Sequence, residues 1–446
     1  MPSLSASASS TLVNVAEDAE LRLVKLLSEQ QPSSSAAVSP QFVPTCEHCI
    51  AQGDASQLLR TILQENAAIQ ALMVMPNTEE AISVVSLLAA LLERVEEGGG
   101  AAATTAMVHA LADAIVQASS TFPSTTSRAV TLLSTLYNMR SNPLEKCGLL
   151  VRMMQLATSA KASGGGDSSN LMESHMPLGK LLHGKPKPLV VQWLDTWNVS
   201  PADRRPVYAA AASGASNDAT RQRFLIFLVE TYNGTNDPID AAGLSYARQT
   251  ALGAIRDPVT WIVAQRKLLS CRAIQALKTS KDVDDTLLIQ VLSIFQQGTL
   301  QEYVSLLQRN GGDAMLQSKW QLDPMRCLKH MRILSLCSLA ADQESIPYAD
   351  VANCLMTKAD EQSGTDVDKL VEQWVIGAVS SGLLLAKMDQ LNKMVIVERC
   401  VVRQFDMEQW KVLQSRLSLW KQNVKGILTA YTEQQAVAAA TATAAT

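Results

Sequence analysis

Aromatic residues, a surplus of positive charge and long apolar runs are all scarce in this chain of 446 residues. Phe, Tyr and Trp make up only 4% of the residues, and all seven tryptophans follow position 190. Lys and Arg number 38 against 42 Asp and Glu, so no global positive field favours nucleic acid. No apolar run approaches the ~18 residues of a membrane-spanning helix, and the N-terminus lacks the basic region of a secretory signal. We therefore expect a soluble, cytoplasmic protein.

Cysteine is sparse too, and only one close pair occurs. The eight cysteines lie at positions 46, 49, 147, 271, 327, 337, 354 and 400. A chain of this length can bury a core without disulfides, so we expect mostly buried free thiols. The sequence "CEHC", from Cys46 to Cys49, has zinc-ligand residues at suitable spacing, but the next cysteine is Cys147 and a tetrahedral site needs further ligands. We therefore interpret "CEHC" as the start of a helix.

Sequence motifs for catalysis and cofactor binding are missing. No His-Glu-x-x-His or His-x-His pattern occurs that would hold a catalytic metal. The glycine clusters "EEGGGAAA" and "SGGGDSS" lack the Lys and Ser or Thr of a phosphate-binding loop, and "GLSYA" and "GASND" lack the last glycine of a nucleophile elbow. We therefore predict a protein that is not an enzyme and uses no cofactor or metal.

Helical periodicity is what the sequence has in abundance. Apolar residues recur at spacings of three and four in segments such as "SQLLRTILQENAAIQALM", "TEEAISVVSLLAALLERVEE" and "DDTLLIQVLSIF", with short breaks at proline or glycine between them. A series of amphipathic helices with turn-length connections predicts an α-solenoid, in which each helix buries its apolar stripe on its neighbours. The chain shows no strict repeat period, which argues against a named repeat class.

Composition divides the chain into seven segments. In order, we expect a flexible N-terminal segment, N-terminal helical repeats, a flexible Gly/Ser-rich insertion, further helical repeats, a winged helix, a long C-terminal helix and an Ala/Thr-rich tail. These segments span residues 1–45, 46–160, 161–187, 188–323, 324–405, 406–435 and 436–446, respectively.

The winged helix is predicted from three helical patterns followed by a hairpin. The helices are "MRCLKHMRILSLCSLAA", "IPYADVANCLM" and "DVDKLVEQWVIGAVSSG", and the strands "LLLAKM" and "KMVIVE" flank the turn "DQLN". The apolar residues of the third helix share one face, which we expect to be buried. They are Val367, Leu370, Val371, Trp374, Val375 and Ala378.

A winged helix that reads DNA would place the start of its third helix against the duplex. The residues there are Asp366, Asp368, Lys369 and Glu372, whose net negative charge would repel phosphate. The hairpin and the last helix hold more basic than acidic residues, so a weak RNA contact stays open. We expect no sequence-specific DNA binding.

The β-branched stretch Met394, Val395, Ile396 and Val397 favours contact with another protein. As an edge strand, this stretch would be an aggregation hazard in a monomer, because its backbone donors and acceptors would be unpaired. Pairing with a strand of a neighbouring protein would satisfy them. We therefore predict a subunit interface at these four residues.

The last helix carries an apolar stripe with a period near 3.5 residues. Its members are Trp410, Leu413, Leu417, Trp420, Val424, Ile427 and Tyr431. This period is typical of a seam in a helical bundle, so we predict a second subunit interface here, with Trp410 near the winged helix and the later residues directed outward. A single helix packed on its own domain would show a similar stripe, and that alternative stays open.

A helical stack, a winged helix and a terminal helix in this order resemble the PCI-domain family of the proteasome lid, the COP9 signalosome and eukaryotic translation initiation factor 3. The segments "VVQWLDTWNVSPADRR", "AIRDPVTWIVAQRKLLSCRAIQAL", "MRILSLCSLA", "GAVSSGLLLAKMDQLNKMVIVE" and "SRLSLWKQNV" are most similar to the subunit m branch within the initiation factor. The resemblance covers roughly residues 125–430 and is strongest after residue 185.

The resemblance implies a non-catalytic scaffold that assembles through its winged helix and terminal helix and supports binding to the small ribosomal subunit. It further implies subunit a as the winged-helix neighbour, with the MPN-domain subunits f and h nearby. One alternative is the equivalent PCI subunit of the signalosome or the proteasome lid. An alternative of another class is a free winged-helix protein that binds nucleic acid.

Overall fold

The computed structural model describes most of the chain. The described ranges are residues 19–29, 38–98, 101–162, 178–184, 187–235, 237–263, 267–280, 282–362, 366–403 and 407–444. The predicted fold class is confirmed: helical repeats precede a winged helix and a long terminal helix. The chain forms two compact units, Met1–Tyr246 and Ala247–Thr446.

The first unit consists of helices joined by short connections. Its helices are α1 (Ala19–Glu29), α2 (Phe42–Gln52), α3 (Ala55–Gln64), α4 (Asn66–Val74), α5 (Thr78–Glu97), α6 (Ala101–Thr121), α7 (Thr126–Met139), α8 (Pro143–Ala162), α9 (Leu178–Leu182), α10 (Leu189–Thr196), α11 (Pro201–Gly214) and α12 (Asp218–Glu230). A 3-10 turn at Pro123–Thr125 connects α6 and α7. Most contacts join helices that are neighbours in sequence or the next but one, as expected for stacked helical hairpins, and a few, such as α1 with α4 and α8 with α11, join helices further apart.

Local sequence explains where the helices of this unit begin. The predicted start of α5 is confirmed: the Asn77 side chain accepts a hydrogen bond from the Glu79 N–H at 3.0 Å, and Glu79 and Glu80 follow in the first turn. The carboxylates meet the positive end of the helix dipole there. The apolar stripe of α5, which includes Val85 and Leu88, is buried. The capping side chain, the acidic first turn and the buried apolar stripe therefore all favour a helix over these residues.

Two of the segments that we expected to be flexible contain helix. Residues 19–29 form α1, in which Leu23 and Leu27 are fully buried, whereas residues 1–18 and 30–37 lie outside the described residues. Residues 178–182 of the expected insertion are helical, and residues 163–177 lie outside the described residues. The insertion does not end the repeat stack, because α8 packs against α11. Because residues 1–45 are of low complexity, the three apolar residues of α1 that are buried did not stand out in the sequence. They are Leu23, Val24 and Leu27.

The second unit begins inside a helix that spans the boundary. Its first part contains α13 (Ala241–Arg256), α14 (Pro258–Val263), α15 (Arg272–Ala276), α16 (Val283–Gln297), α17 (Leu300–Arg309) and α18 (Asp313–Trp320), with 3-10 turns at Leu268–Ser270 and Leu277–Thr279. Its second part contains α19 (Pro324–Asp342), β1 (Ser345–Pro347), α20 (Tyr348–Leu355), α21 (Lys358–Gln362), α22 (Val367–Ser380), β2 (Leu384–Asp389), β3 (Met394–Cys400) and α23 (Met407–Ala444). Among the described helices, none is both long and apolar enough to cross a membrane.

The winged helix is built from α19, α20 and α22, which contact one another, and from a small antiparallel sheet. Strand β3 lies between β1 and β2, and Val395 pairs with Ile346 on one side and Met388 on the other. Val395 and Ile346 are fully buried against the helices. The predicted order of three helices and a hairpin is therefore present, with one additional short strand.

Candidate subunit interface

The structure places Met394, Val395, Ile396 and Val397 in the central strand of the sheet and not at its edge. The edge-strand prediction was therefore wrong, because the three-residue strand β1 pairs with β3 on the side that we expected to be free. Residues 345–347 are too short to give a sequence signal for a strand. In the sheet order β1-β3-β2, both β1 and β2 pair on one side only, and β2 is the longer of these two edge strands, with six residues against three.

The exposed apolar residues of this sheet differ from those predicted. Val395 is 0% exposed, so it belongs to the core and cannot meet a partner directly. Ile396, which points the other way as strand residues alternate, is 44% exposed, and Leu385 on β2 is 45% exposed. The side chain of Lys387 lies beside them and pairs with Glu398 at 2.6 Å. The surface available to a partner is thus the β2 edge with Leu385 and Ile396.

The turn between β2 and β3 is held by local hydrogen bonds. The Asp389 carboxylate accepts from the N–H groups of Leu391 and Asn392, both at 3.1 Å, and the Asn392 side chain donates to it at 2.8 Å. These bonds lower the pKa of Asp389. Lys393, the last turn residue, adopts a φ of 50°. The strands therefore enter the hairpin in a fixed register.

Acidic residues at the start of α22 contact the hairpin turn. Asp368 pairs with Lys393 at 2.8 Å, which raises the pKa of the lysine, and Glu372 accepts from the Gln390 side chain at 3.0 Å. Asp366 instead caps the helix by accepting from the Asp368 N–H. The carboxylates of Asp368 and Glu372 thus hold the hairpin turn against α22. The start of α22, which would approach the duplex in a DNA-binding winged helix, remains negative.

The buried face predicted for α22 is present in part. Val371, Val375 and Ala378 are buried, and Leu370 is half-buried. Val367 is exposed, and the half-buried Trp374 instead lies beside Arg332 of α19, whose guanidinium carbon is 5.0 Å from the ring centre. The core of the winged helix therefore covers the part of the stripe formed by Val371, Val375 and Ala378 and leaves Val367 outside.

The terminal helix α23 carries the most exposed apolar surface in the described chain. Every residue from 410 to 434 is exposed. The predicted stripe is present along it, with Trp420 66% and Ile427 71% exposed. Trp410, which we placed near the winged helix, is itself 57% exposed. The helix also runs to Ala444 and so includes most of the segment that we assigned to a tail.

Arg403 fixes the chain immediately before α23. Its side chain donates to Ser338 Oγ at 2.6 Å and to the carbonyl oxygens of Gly298 at 3.0 Å and Phe295 at 3.5 Å. Phe295 lies at the C-terminal end of α16, where the helix dipole favours a cation. Burial lowers the pKa of Arg403. Sequence reasoning missed this residue, because nothing in "CVVRQF" distinguishes a half-buried, hydrogen-bonded arginine from a solvated one.

The cysteine and histidine residues show no convergent metal site within the described residues. In "CEHC", the thiols of Cys46 and Cys49 face the core, and burial raises the pKa of Cys46 to about 12, whereas His48 is exposed and contacts Gln52. All eight cysteines are free, and six of them are buried, as predicted. His175 lies outside the described residues.

Comparisons with known families agree with this architecture. Residues 316–399, which contain the whole winged helix except the end of β3, match the family described as "PCI domain". This part of the chain is similar to a PCI domain. Residues 403–430, from Arg403 along the exposed helix, match the family described as "eIF3 subunit M, C-terminal helix". The predicted resemblance to the subunit m branch of the PCI family is confirmed.

Curated proteins similar to this chain carry a subunit M description as well. The chain is 30% identical over 245 residues to "Eukaryotic translation initiation factor 3 subunit M" of Nematostella vectensis, covering 54% of this chain and 58% of the relative. It is 29% identical over 245 residues to that of Phaeosphaeria nodorum, with 53% and 51% covered. For Dictyostelium discoideum, the identity is 28% over 243 residues, with 53% and 55% covered. The chain thus spans about half the length of the relatives that it matches.

Proposed function

We propose that this chain is a non-catalytic subunit of a translation initiation factor 3 complex, in which it acts as a scaffold in the cytoplasm. One observation carries the proposal: α23 presents its apolar stripe to solvent from residue 410 to residue 434. An apolar surface of this length is unusual on a protein that works alone, and it is typical of an assembly interface. The match of residues 403–430 to the terminal helix of subunit M supports the same assembly.

Two surfaces would join this subunit to its neighbours. The stripe of α23, from Trp410 to Tyr431, would enter a helical bundle, since its spacing matches a coiled-coil seam. The open edge of β2 would extend the sheet into a neighbouring winged helix, so that Met394, Ile396 and Val397 contribute from the adjacent strand and Val395 acts only as core. Subunits a, f and h are the proposed neighbours, and the small ribosomal subunit is the target of the assembled complex.

The rival functions are less well supported by the same residues. A DNA-reading winged helix needs cations at the start of its third helix, where this chain has Asp366 and Asp368. The signalosome and the proteasome lid share the PCI domain, but the relatives and the terminal-helix family both carry the initiation factor description. A weak RNA contact by the basic residues of β3 and α23 is compatible with the proposal.

Affinity purification of the tagged full chain from its own cells, followed by quantitative mass spectrometry, tests this proposal. We expect the subunits of initiation factor 3, with a, f and h among them, in amounts comparable to the bait. Recovery of signalosome or lid subunits in their place would assign the chain to another PCI assembly. Recovery of nucleic acid without any of these subunits would favour the winged-helix nucleic-acid binder.

A further inference from the structure

A groove separate from both proposed interfaces lies on the helical side of the winged helix. It has a volume of about 850 Å³ and lies between the start of α14, the first half of α19 and the second half of α22. This volume is within the range of ~300–1,000 Å³ that is usual for ligand sites. Its lining is mostly apolar and includes Val259, Leu328, Ile333, Leu334, Trp374 and Leu383.

The rim of the groove is positively charged. Arg326 and Lys329 lie one turn apart on α19 and are exposed, and among the described contacts neither forms an ion pair. The one carboxylate in the lining belongs to Asp323, whose side chain caps α19 by accepting from the Met325 N–H at 3.0 Å. Two cations and one carboxylate at the rim of an apolar floor give this region a positive balance, which contrasts with the net charge of −4 of the whole chain.

A third cation shapes the inner wall. Arg332 pairs with Asp360 and stacks near the Trp374 ring, at 5.0 Å from its centre. This pairing holds the guanidinium in one place, and it leaves the tryptophan ring as part of the groove surface. Arg332 and the Trp374 ring thus form one wall of the groove.

We propose that this groove binds an acidic amphipathic peptide segment of a partner protein. The apolar side chains of the segment would contact the floor around Leu328 and Trp374, and its carboxylates would face Arg326 and Lys329. Nucleic acid fits the rim but not the floor, because its charged backbone would leave an apolar surface uncovered. A neutral apolar peptide fits the floor but would gain nothing from the two cations.

Gly377 of α22 offers a way to fill the groove without disturbing the core. A Cβ added there would meet only the end of the Lys329 side chain, at 3.9 Å, so a larger side chain has open space in front of it. The helix itself favours the change, because glycine is a poor helix former. Gly377→Leu should therefore leave the unfolding transition of the chain intact while it occupies the site.

The test is fluorescence anisotropy of the full chain with a labelled model peptide. The peptide has about 16 residues, with leucines at helical spacing and glutamates elsewhere, and a second peptide carries lysine in place of each glutamate. We expect the glutamate peptide to bind at least about tenfold more tightly than the lysine peptide. Gly377→Leu and the double variant Arg326→Glu/Lys329→Glu should each weaken its binding by about tenfold or more.

Arg60→Glu/Lys278→Glu is the matched control, since it makes the same change in net charge at exposed positions outside the groove. This variant should bind the glutamate peptide as the wild type does. Absence of binding, or binding that neither groove variant weakens, would overturn the proposal. A single-stranded oligouridine of about 12 nucleotides is the third probe. If it binds at the groove in place of the peptide, the site is a nucleic-acid site and the proposal is wrong.

Discussion

At the scale of single residues, Arg403 is one of the contacts that join the winged helix to the preceding repeat. Its guanidinium bridges Ser338 of α19 and the carbonyl oxygen of Gly298 beyond α16. We expect Arg403→Met to lower the free energy of unfolding by roughly 2 to 4 kcal/mol, because it leaves buried acceptors without donors. Urea unfolding of the purified chain, followed by circular dichroism, measures this change.

Arg399 is the matched control for that substitution. Arg399 lies on β3, four residues before Arg403 in the chain, and it is exposed. Arg399→Met should change the free energy of unfolding by less than about 0.5 kcal/mol. Equal effects of the two substitutions would mean that Arg403 is no more important to the fold than a surface arginine.

The ion pair between Asp285 and Arg248 predicts a dependence of stability on pH. Arg248 donates to the nearly buried Asp285 carboxylate, with Nη2 to Oδ2 at 2.8 Å, and this lowers the pKa of Asp285 from its ordinary value of 3.8. Because folding favours the ionised carboxylate, the stabilisation is complete above the unfolded-state pKa and is lost as the pH falls through the lower folded-state pKa. Asp285→Asn should therefore destabilise the chain by roughly 1 to 2 kcal/mol at neutral pH.

Urea unfolding at pH 7 and near pH 3 compares this variant with the wild type. We expect the difference in the free energy of unfolding to shrink at the lower pH. Asp284→Asn, which removes the exposed pair with Lys319, is the control and should cost less than about 1 kcal/mol. A difference that is the same at both pH values would show that the Asp285 charge does not contribute to stability.

At the scale of elements, β2 and its exposed neighbour on β3 are the sheet surface open to a partner. Because Val395 is buried, an acidic residue there would disrupt the winged helix itself and would not report on assembly. Leu385→Glu/Ile396→Glu tests the interface without disturbing the core, since both side chains are nearly half exposed. We expect its unfolding midpoint to match that of the wild type, and its recovery in the complex to fall by about tenfold or more.

The control for this pair is Val74→Glu/Leu144→Glu, which adds two acids at similarly exposed apolar positions outside the sheet. It should assemble as the wild type does. Normal incorporation of the Leu385→Glu/Ile396→Glu variant would exclude this face of the sheet from the interface. The measurement is the ratio of the tagged variant to co-purified subunits at equal expression.

The elements that the sequence predicted well are those with long regular patterns. The stripe of α5 and the stripe of α23 span many turns, so their periodicity stands out from the surrounding residues. Strand β1 has three residues, and its pairing with β3 depends on contacts between segments far apart in sequence. A one-dimensional pattern contains no information on such a pairing, and for this reason β3 was mistaken for an edge strand.

At the scale of the whole molecule, the order of repeats, winged helix and terminal helix could be predicted, and so could the apolar stripe of α23. The half-buried Arg403 and the exposed Leu385 could not, because burial of a single side chain is decided by the packing of several elements. The same limit applies to the Arg326 and Lys329 groove, whose walls come from α14, α19 and α22. Sequence indicates which elements form, and packing decides which of their residues are left for partners.

The central claim is that α23 serves assembly and not the core of its own chain, and truncation after Ser415 tests it most directly. The unfolding midpoint of the truncated chain and its recovery of initiation factor 3 subunits are measured beside the wild type, with Trp420→Ala as a milder variant and Gln422→Ala as its exposed polar control. We predict an unchanged midpoint, a loss of subunit recovery of about tenfold or more on truncation, a smaller loss for Trp420→Ala and none for Gln422→Ala. A collapse of the unfolding transition on truncation, or full recovery of the complex without the helix, would contradict the account.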